Sequence, residues 1–237
     1  MVERDYVLTH IMHSVAATRG AEQLIFKGGT ALRLCFYENY RYSADLDFSV
    51  VNVSLEDAHA AIAQALESCQ ERVGFEVCEL TEEDPPRIKY LGTLGRAQTI
   101  KLDIATDELV LEQENRSLLI RYEDQPENDE TLSVYSLTEV TAEKLRCVIQ
   151  RHQCRDPFDL HFLLVGEGVN IEDAWASFDR KARHRGIDPQ SFEGRLSERE
   201  SRYGKEWSRE IEEHLGTEAP PFEQTMRELR RALRSRG

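Results

Sequence analysis

Apolar positions follow two different spacings along the chain, and their order predicts the fold. From Leu55 to Val73 they recur at helical spacing, whereas from Ala97 to Ala105 they alternate with polar residues, as in a half-buried strand. All predicted strands precede residue 106, and only helices are predicted after residue 136. The predicted helices are 4–18, 30–36, 55–73, 137–150, 157–165, 172–185, 208–214 and 222–234, and the predicted strands are 24–26, 46–51, 75–80, 87–91 and 97–105.

The segment 123–130 separates these two parts. It is acidic and contains Pro126, which is typical of a loop, and we interpret it as a domain boundary. The sequence therefore predicts an α+β protein. A mixed β-sheet domain with flanking helices would span residues 1–130, and an all-helical domain would span residues 131–237.

The composition is that of a globular protein. Of the 237 residues, 40% are hydrophobic and 31% are charged, which allows a sizeable core and argues against disorder. No apolar run reaches the ~20 residues of a membrane-spanning helix. Residues 1–19 lack the apolar core of a secretory signal, so we expect a cytoplasmic protein without a membrane partner. The cysteines form no CxxC pair and are expected to be reduced thiols in packing roles. They are Cys35, Cys69, Cys78, Cys147 and Cys154.

Acidic residues outnumber basic ones by 44 to 30, which gives a net charge of −14. The excess lies in the first part of the chain, because residues 180–237 contain 14 basic and 11 acidic residues. A protein that binds duplex DNA normally presents a broad positive surface, so we expect no duplex DNA partner. The arginines near the C-terminus could form a local contact surface, but a solvated helix face is the simpler interpretation.

The first motif with a chemical interpretation is Lys27-Gly28-Gly29-Thr30, between a predicted strand and a predicted helix. Two glycines let the backbone approach a phosphate closely, and the N–H groups of a helix N-terminus favour an anion. The Thr30 hydroxyl is the predicted helix cap. Many tight strand–helix turns use Gly-Gly, so this motif alone does not establish phosphate binding.

Two aspartates, Asp45 and Asp47, follow at the next predicted strand, and their side chains leave it on the same side. Paired carboxylates that face a cleft suit a hard divalent cation such as Mg²⁺, whose shell substrate phosphates complete. Asp103 could join them if its strand lies beside theirs, as a two-metal reaction requires. The alternative is solvated acids at strand ends.

The helical part contributes Lys144, which follows Glu143 one turn inside a predicted helix and could reach a triphosphate as a point charge. Arg151 lies seven residues further on, near the same helix face. Asp156 and Asp159 share a face of the next helix, and Asp156 is also the predicted N-cap of that helix. A capped helix with surface salt bridges is the alternative interpretation.

Together these motifs resemble the AbiEii/AbiGii-type toxins, nucleotidyltransferase-like proteins of type IV toxin–antitoxin and abortive-infection systems, which act in phage defence. The resemblance covers residues 20–165, and its motifs occur in the family's order. They are Gly28-Gly29-Thr30-Ala31-Leu32, Arg41-x-Ser43-x-Asp45-Leu46-Asp47-Phe48, Ala142-Glu143-Lys144-Leu145 and Arg155-Asp156-x-x-Asp159-Leu160.

The resemblance implies a minimal nucleotidyltransferase domain and a helical domain, with a nucleoside triphosphate in the cleft between them and Mg²⁺ as cofactor. Its residues carry over as follows. The candidate nucleotide-binding residues are Lys27, Gly28, Gly29, Thr30, Arg41, Ser43 and Lys144. The candidate metal ligands are Asp45, Asp47 and Asp103. The candidate catalytic residues are these three aspartates together with Lys144 and Asp159.

The implied function is that of a growth-arresting toxin that transfers nucleotides from a nucleoside triphosphate to RNA. Some family members modify the acceptor end of tRNA and so block translation, and such a toxin is normally paired with a separately encoded antitoxin protein. Because the N-terminal part is acidic, RNA contact is expected from the Arg-rich helical part. The candidate RNA contacts are Arg180, Lys181, Arg183, Arg185, Arg195, Arg199 and Arg202.

Two other functions remain open. The same fold could transfer a nucleotide to a protein side chain or to a small molecule such as an antibiotic. The chain could also be a nucleotide-binding interaction module without catalysis. The pair Asp45 and Asp47 disfavours this last alternative, because a pure binding module has no need to hold two like charges together.

Overall fold

The computed structural model of the chain divides into two units, Met1–Val134 and Tyr135–Gly237. It describes residues 1–73, 77–81, 83, 85–126 and 130–235, without the side chains of residues 72, 73 and 77–79. Parts of the strand predicted at 75–80 and of the loop predicted at 123–130, and the side chain of Cys78, therefore lie outside the described residues.

The first unit is built around a mixed β-sheet. Its helices are α1 (Val2–Ala16), α2 (Gly28–Ala31, continued by a π-helical turn over Leu32–Phe36) and α3 (Leu55–Val73). Its strands are β1 (Leu24–Lys27), β2 (Leu46–Val50), β3 (Val77–Leu80), β4 (Arg87–Leu91), β5 (Ala97–Ala105), β6 (Gln113–Arg116) and β7 (Leu132–Tyr135). The seven strands lie in the order β3-β4-β5-β2-β1-β7-β6.

The strand register determines which side chains share a face of the sheet. β2 pairs antiparallel with β1 and parallel with β5, so that Lys27, Asp47 and Asp103 occupy one row across three strands. The next row contains Phe26, Phe48 and Ile104, which point to the opposite face because side chains alternate along a strand. The sheet therefore has a polar row beside an apolar row.

The apolar row belongs to the core of the first unit. Phe26 and Phe48 are fully buried, with ring centroids 5.3 Å apart, and share one cluster with side chains of α1 and α3. Ile11 of α1 and Ile62 of α3 contribute fully buried side chains to this cluster. The helical spacing predicted for 55–73 is confirmed, as are the strands predicted at 87–91 and 97–105.

The second unit is helical after the end of β7. Its helices are α4 (Leu137–Gln150), α5 (Arg155–His161, continued by a π-helical turn over Phe162–Gly166), α6 (Ile171–His184), α7 (Phe192–Leu215) and α8 (Phe222–Arg234). The mixed α+β class with a helical C-terminal part, as predicted, is confirmed. None of the helices in the described part of the chain is long and apolar enough to cross a membrane.

Three elements differ from the prediction. The helix predicted at 208–214 was too short, since α7 spans 24 residues. Its start was missed because its buried side chains, such as Leu196, Tyr203 and Trp207, are separated by many charged residues. β6 was missed because its residues Gln113–Arg116 are polar and mostly exposed, as is typical of an edge strand. β7 was missed because four residues give too short a pattern.

A buried ion pair joins α4 to α6. Lys181 Nζ lies 2.6 Å from Glu139 Oε1, and both side chains are almost fully buried. The Lys181 ammonium also lies 4.8 Å from the ring centroid of Tyr135. The Ser136 hydroxyl caps α4 by accepting a hydrogen bond from the Glu139 N–H group. Lys181 is therefore part of the core of the second unit.

We expect Lys181→Met to lower the free energy of unfolding by about 3–5 kcal/mol, because it removes one partner of a buried ion pair and takes the ammonium away from the buried Glu139 carboxylate. Urea denaturation measures this change. The control is Arg183→Met on the same helix, which removes an exposed i,i+4 pair with Asp179 and should cost less than about 1 kcal/mol. The double variant Glu139→Gln/Lys181→Met should recover most of the loss. Equal stability of Lys181→Met and Arg183→Met would contradict this account.

Candidate functional site

The turn between β1 and α2 brings the backbone against a carboxylate. Gly28 has φ +78°, and a Cβ atom at this position would lie 2.6 Å from Asp47 Oδ2. A side chain here would be strained in the backbone and would collide with Asp47. Glycine is therefore required at this position for the turn and for the position of the carboxylate.

Gly29 plays a similar part toward two polar side chains. A Cβ atom at Gly29 would lie 2.8 Å from a terminal guanidinium nitrogen of Arg41 and 3.1 Å from Ser43 Oγ. The structure thus brings Gly28, Gly29, Arg41, Ser43 and Asp47 together in one place. A guanidinium, a hydroxyl and a glycine turn at a helix N-terminus are groups that bind phosphate.

The prediction that Thr30 caps the helix is wrong. α2 begins at Gly28, so Thr30 lies inside the helix, and its hydroxyl donates a 2.5 Å hydrogen bond to the Asp45 carbonyl oxygen. This bond ties the glycine turn to the residue that precedes β2. Thr30 therefore positions the backbone of the Asp45–Asp47 segment.

Arg33, which the sequence analysis did not select, holds the segment that carries Arg41 and Ser43. Its guanidinium donates to the Asp5 carboxylate and to the Tyr40 carbonyl oxygen, and lies 4.0 Å from the ring centroid of Tyr42. Burial raises the pKa of Asp5, but Arg33, together with Tyr122 and Arg121, outweighs burial and leaves that pKa below its ordinary value. The signal in the sequence was a single charged residue inside the apolar helix 30–36.

The predicted acids lie on neighbouring strands. Asp47 and Asp103 are direct partners in the parallel β2–β5 pairing, and Asp45 lies just before β2. The condition that the sequence analysis set for Asp103, a strand beside that of Asp47, is therefore met. The Asp103 carboxylate is about half exposed, accepts a 3.1 Å hydrogen bond from Lys101 and borders a groove of about 480 Å³.

The residue types of these donors suit a hard divalent cation. Carboxylate oxygens on adjacent strands offer the ligands that Mg²⁺ prefers, and the groove beside Asp103 leaves room for water or phosphate oxygens. The ammonium of Lys27 lies in the same row as Asp47 and is buried. The roles of Asp45, Asp47 and Asp103 as metal ligands, and of Lys27 in nucleotide binding, remain predictions.

Lys144 and Asp159 belong to the second unit, where they form a charge network with Asp156, which is buried as they are, and with the partly exposed Arg151. Lys144 Nζ lies 2.6 Å from Asp159 Oδ2 and 3.3 Å from Asp156 Oδ1. Arg151 donates two hydrogen bonds of 2.9 Å to the Asp156 carboxylate. Burial raises the pKa of Asp156, but Lys144 and Arg151 outweigh it, so this pKa is lowered and the carboxylate is ionised at neutral pH.

Two predictions for this region were wrong. Asp156 does not cap α5, because the helix begins at Arg155 with Cys154 at the capping position, and the Asp156 carboxylate is buried against Lys144 and Arg151. The alternative of surface salt bridges also fails, since Asp156 and Asp159 are fully buried. The roles of Lys144 and Asp159 toward a nucleotide remain predictions.

Several of the arginines and lysines predicted to contact RNA have contacts within the protein. The prediction that Lys181 contacts RNA is wrong, because its side chain is buried against Glu139. Arg195 and Arg199 donate to the carbonyl oxygens of Ile149 and Val148, near the C-terminus of α4. Arg183 and Arg202 form i,i+4 ion pairs, and Arg180 is exposed.

A mixed sheet with a glycine turn at its polar row, acids on neighbouring strands and a helical C-terminal part defines a nucleotidyltransferase-like protein. The model of the AbiEii nucleotidyl transferase toxin family of type IV toxin–antitoxin systems matches residues 11–232, and the chain belongs to this family. The resemblance predicted from the sequence is therefore confirmed.

Comparison with one solved structure supports the fold. The chain is similar to MenT4, a nucleotidyltransferase toxin from Mycobacterium tuberculosis H37Rv, with 20% identity and a TM-score of 0.60 over 98% of this chain and 92% of that chain. It also matches an antigenic nucleotidyltransferase-like protein from Paracoccidioides brasiliensis, with 14% identity and a TM-score of 0.44 over 83% and 93% of the two chains. No curated protein sequence matches significantly.

The contact between Gly28 and Asp47 can be tested by comparing Gly28→Ala with Gly95→Ala. Both glycines have left-handed backbones, so both variants should lose roughly 1–2 kcal/mol of stability. A Cβ atom at Gly95 has no neighbour within 4 Å, whereas one at Gly28 displaces the Asp47 carboxylate. We expect stabilisation by Mg²⁺ with ATP, measured by thermal unfolding, to fall strongly only in Gly28→Ala. Equal stabilisation of the two variants by Mg²⁺ with ATP would show that Gly28 is not part of the binding site.

Proposed function

We propose that the protein is an Mg²⁺-dependent nucleotidyltransferase that transfers a nucleotide from a nucleoside triphosphate to RNA, for example tRNA, and so arrests growth. As in its family, a separately encoded antitoxin protein would neutralise it. With these substrates it would act in the cytoplasm, in phage defence. The observation that carries the proposal is the row of Asp47 and Asp103 beside the Gly28 turn.

The first unit would supply the nucleotidyltransferase domain. Asp45, Asp47 and Asp103 would hold Mg²⁺, which when bound neutralises phosphate charge and lowers the pKa of the attacking hydroxyl. Gly28 and Gly29 allow the phosphates to approach the α2 N-terminus closely, where N–H groups bind them. Lys27, Thr30, Arg41 and Ser43 surround this position, with Thr30 acting through the Asp45 backbone.

The reaction would be an in-line displacement. The acceptor hydroxyl oxygen forms a bond to the α-phosphorus, and the bond from that phosphorus to the oxygen of the β-phosphate breaks, so that pyrophosphate leaves. The hydroxyl proton passes to a carboxylate or to water. Most of the rate enhancement would come from positioning and from fixed charges.

The second unit would supply the helical domain, with Lys144 and Asp159 acting on the nucleotide phosphates and on positioning or proton transfer. Lys144 is held by Asp156 and Asp159, while Arg151 shares the charge of Asp156. This arrangement holds the Lys144 ammonium in position, and the two positive charges of the network nearly balance its two negative charges. A fixed ammonium is a preorganised electrostatic group, which suits charge stabilisation in the transition state.

An arginine surface on α8 suits the RNA acceptor better than the residues selected from the sequence. Arg227, Arg231 and Arg234 are exposed and line one groove of about 520 Å³, together with Phe222. They are spaced by four and three residues, which places them on one helix face. Exposed guanidinium groups can bind phosphates, and Phe222 offers an aromatic surface for a base.

The function is tested by incubating the protein with Mg²⁺, total RNA and each α-labelled nucleoside triphosphate in turn. We expect Asp45→Asn/Asp47→Asn to abolish transfer, because an amide oxygen is a weaker ligand for Mg²⁺ than a carboxylate. The wild type should gain ~2.7 kcal/mol from Mg²⁺ with nucleotide at one hundred times the dissociation constant, and the variant far less. Glu212→Gln/Glu213→Gln, two exposed acids on α7, is the control with the same charge change.

The destination of the label separates the alternatives. Label in RNA supports the proposal, whereas label in protein or a small molecule indicates another acceptor. Nucleotide binding without transfer indicates an interaction module. Loss of stability in the metal-free Asp45→Asn/Asp47→Asn variant would mean that the two acids have a structural role.

The acceptor surface is tested by a matched pair of charge reversals. We expect Arg227→Glu/Arg231→Glu to weaken RNA binding and, for a single-stranded acceptor, to flatten its salt dependence by ~0.7 in slope for each lost phosphate contact. Arg180→Glu/Arg183→Glu on α6 changes the charge equally and should bind RNA almost as the wild type does. Filter binding at several salt concentrations measures both. A larger loss of RNA binding in the α6 variant than in the α8 variant would place the RNA site on α6.

A further inference from the structure

Four side chains with metal-ligating chemistry meet where the connection between α4 and α5 packs against α7. The Cys154 thiol and one carboxylate oxygen each of Glu206 and Glu210 all lie within 4.8 Å of one another. His152 Nε2 lies 3.0 Å from Glu206 Oε2. We name these four residues the Cys154 cluster. It shares no residue with the charge network of Lys144.

The backbone and neighbouring side chains fix the positions of these donors. Glu206 and Glu210 are one turn apart on α7 and therefore share a face. The Cys154 N–H group donates a 3.1 Å hydrogen bond to Glu210 Oε2, and the His152 ring stacks on Tyr203 with centroids 4.4 Å apart. Cys154 is fully buried at the N-terminus of α5. The donors of Cys154, Glu206 and Glu210 already lie within reach of one ion, and a shift of the His152 ring, which contacts Glu206, would add the fourth donor.

The donor set distinguishes among metals. Thiolate sulfur, imidazole nitrogen and carboxylate oxygen are the ligands that Zn²⁺ takes in tetrahedral sites, whereas Mg²⁺ prefers oxygen alone. Burial, with Glu210 and Glu206 nearby, raises the pKa of Cys154 to about 12, so the thiol is protonated when no cation is present. Metal binding forms a bond between the metal and sulfur, and the thiol proton is released to solvent.

We propose that His152, Cys154, Glu206 and Glu210 bind one Zn²⁺ ion. The ion would join the α4–α5 connection to α7. This connection carries Arg151 and leads directly into Asp156, so the ion would hold in place the segment that supports the Lys144 network. The proposal concerns a structural site and does not depend on nucleotidyl transfer.

Co²⁺ added to the metal-free full-length protein tests the site. We expect one Co²⁺ per chain, with the intense visible bands of tetrahedral Co²⁺ and a thiolate-to-cobalt charge-transfer band in the near ultraviolet. Cys154→Ser should abolish the charge-transfer band. The control is Cys35→Ser, which removes a buried thiol whose pKa is also raised to about 12 by burial. Persistence of the band in Cys154→Ser, or no stoichiometric Co²⁺, would overturn the proposal.

Glu206→Gln and Glu210→Gln provide a second test, because both carboxylates are partly exposed and neither variant removes core packing. We expect each to weaken Zn²⁺ affinity by about 100-fold, measured by competition with a chelating dye. The cobalt bands of the wild type should be unchanged by excess Mg²⁺. The Asp45→Asn/Asp47→Asn variant should show the same bands as the wild type. Loss of the bands under either condition would assign the metal to the nucleotide site instead.

Discussion

The approach of the Gly28 backbone to the Asp47 carboxylate is the contact on which the site in the first unit depends. It requires a left-handed glycine at the end of β1, a helix that starts at once, and a β2 strand in register with both β1 and β5. A shift of one residue in that register would move Asp47 into the core and Phe48 to the polar face. The apolar row of Phe26 and Phe48 therefore fixes the position of the polar row.

The candidate sites of the two units differ in how far water reaches their charged groups. In the first, Asp103 is half exposed and the neighbouring groove is open, so a cation and phosphates can enter. In the second, Lys144, Asp156 and Asp159 are nearly excluded from water, and each charge has a partner within the unit. Burial of a charge is tolerated only where such pairing is complete. The first arrangement suits ligand exchange, and the second suits a group that must keep its charge and position.

Much of the fold followed from local patterns, because alternation and helical spacing in segments such as 55–73 and 97–105 reflect burial directly. The motifs around Gly28, Asp47 and Lys144 could be found because their residue types are unusual in such positions. The adjacency of Asp47 and Asp103 could not be found, since parallel pairing of strands far apart in sequence leaves no local signal. The hydrogen bond from Thr30 to the Asp45 carbonyl could not be found either, because its two residues are 15 positions apart in the sequence. Lys181 and Asp156 looked like surface residues because burial of a charge depends on its partners in the folded chain.

The two arginines of α7 that donate to the carbonyl oxygens of Val148 and Ile149 link distant parts of the sequence. A helix end leaves its last carbonyl groups without partners in the helix, and here Arg195 and Arg199 satisfy two of them. The helix completed in this way is the one that carries Lys144. A shortened chain that ended after α6 would leave these carbonyl groups open, and the helix would fray toward Lys144. The smallest fragment that keeps Lys144 on a complete helix therefore includes α7, although none of the candidate active-site residues lies on that helix.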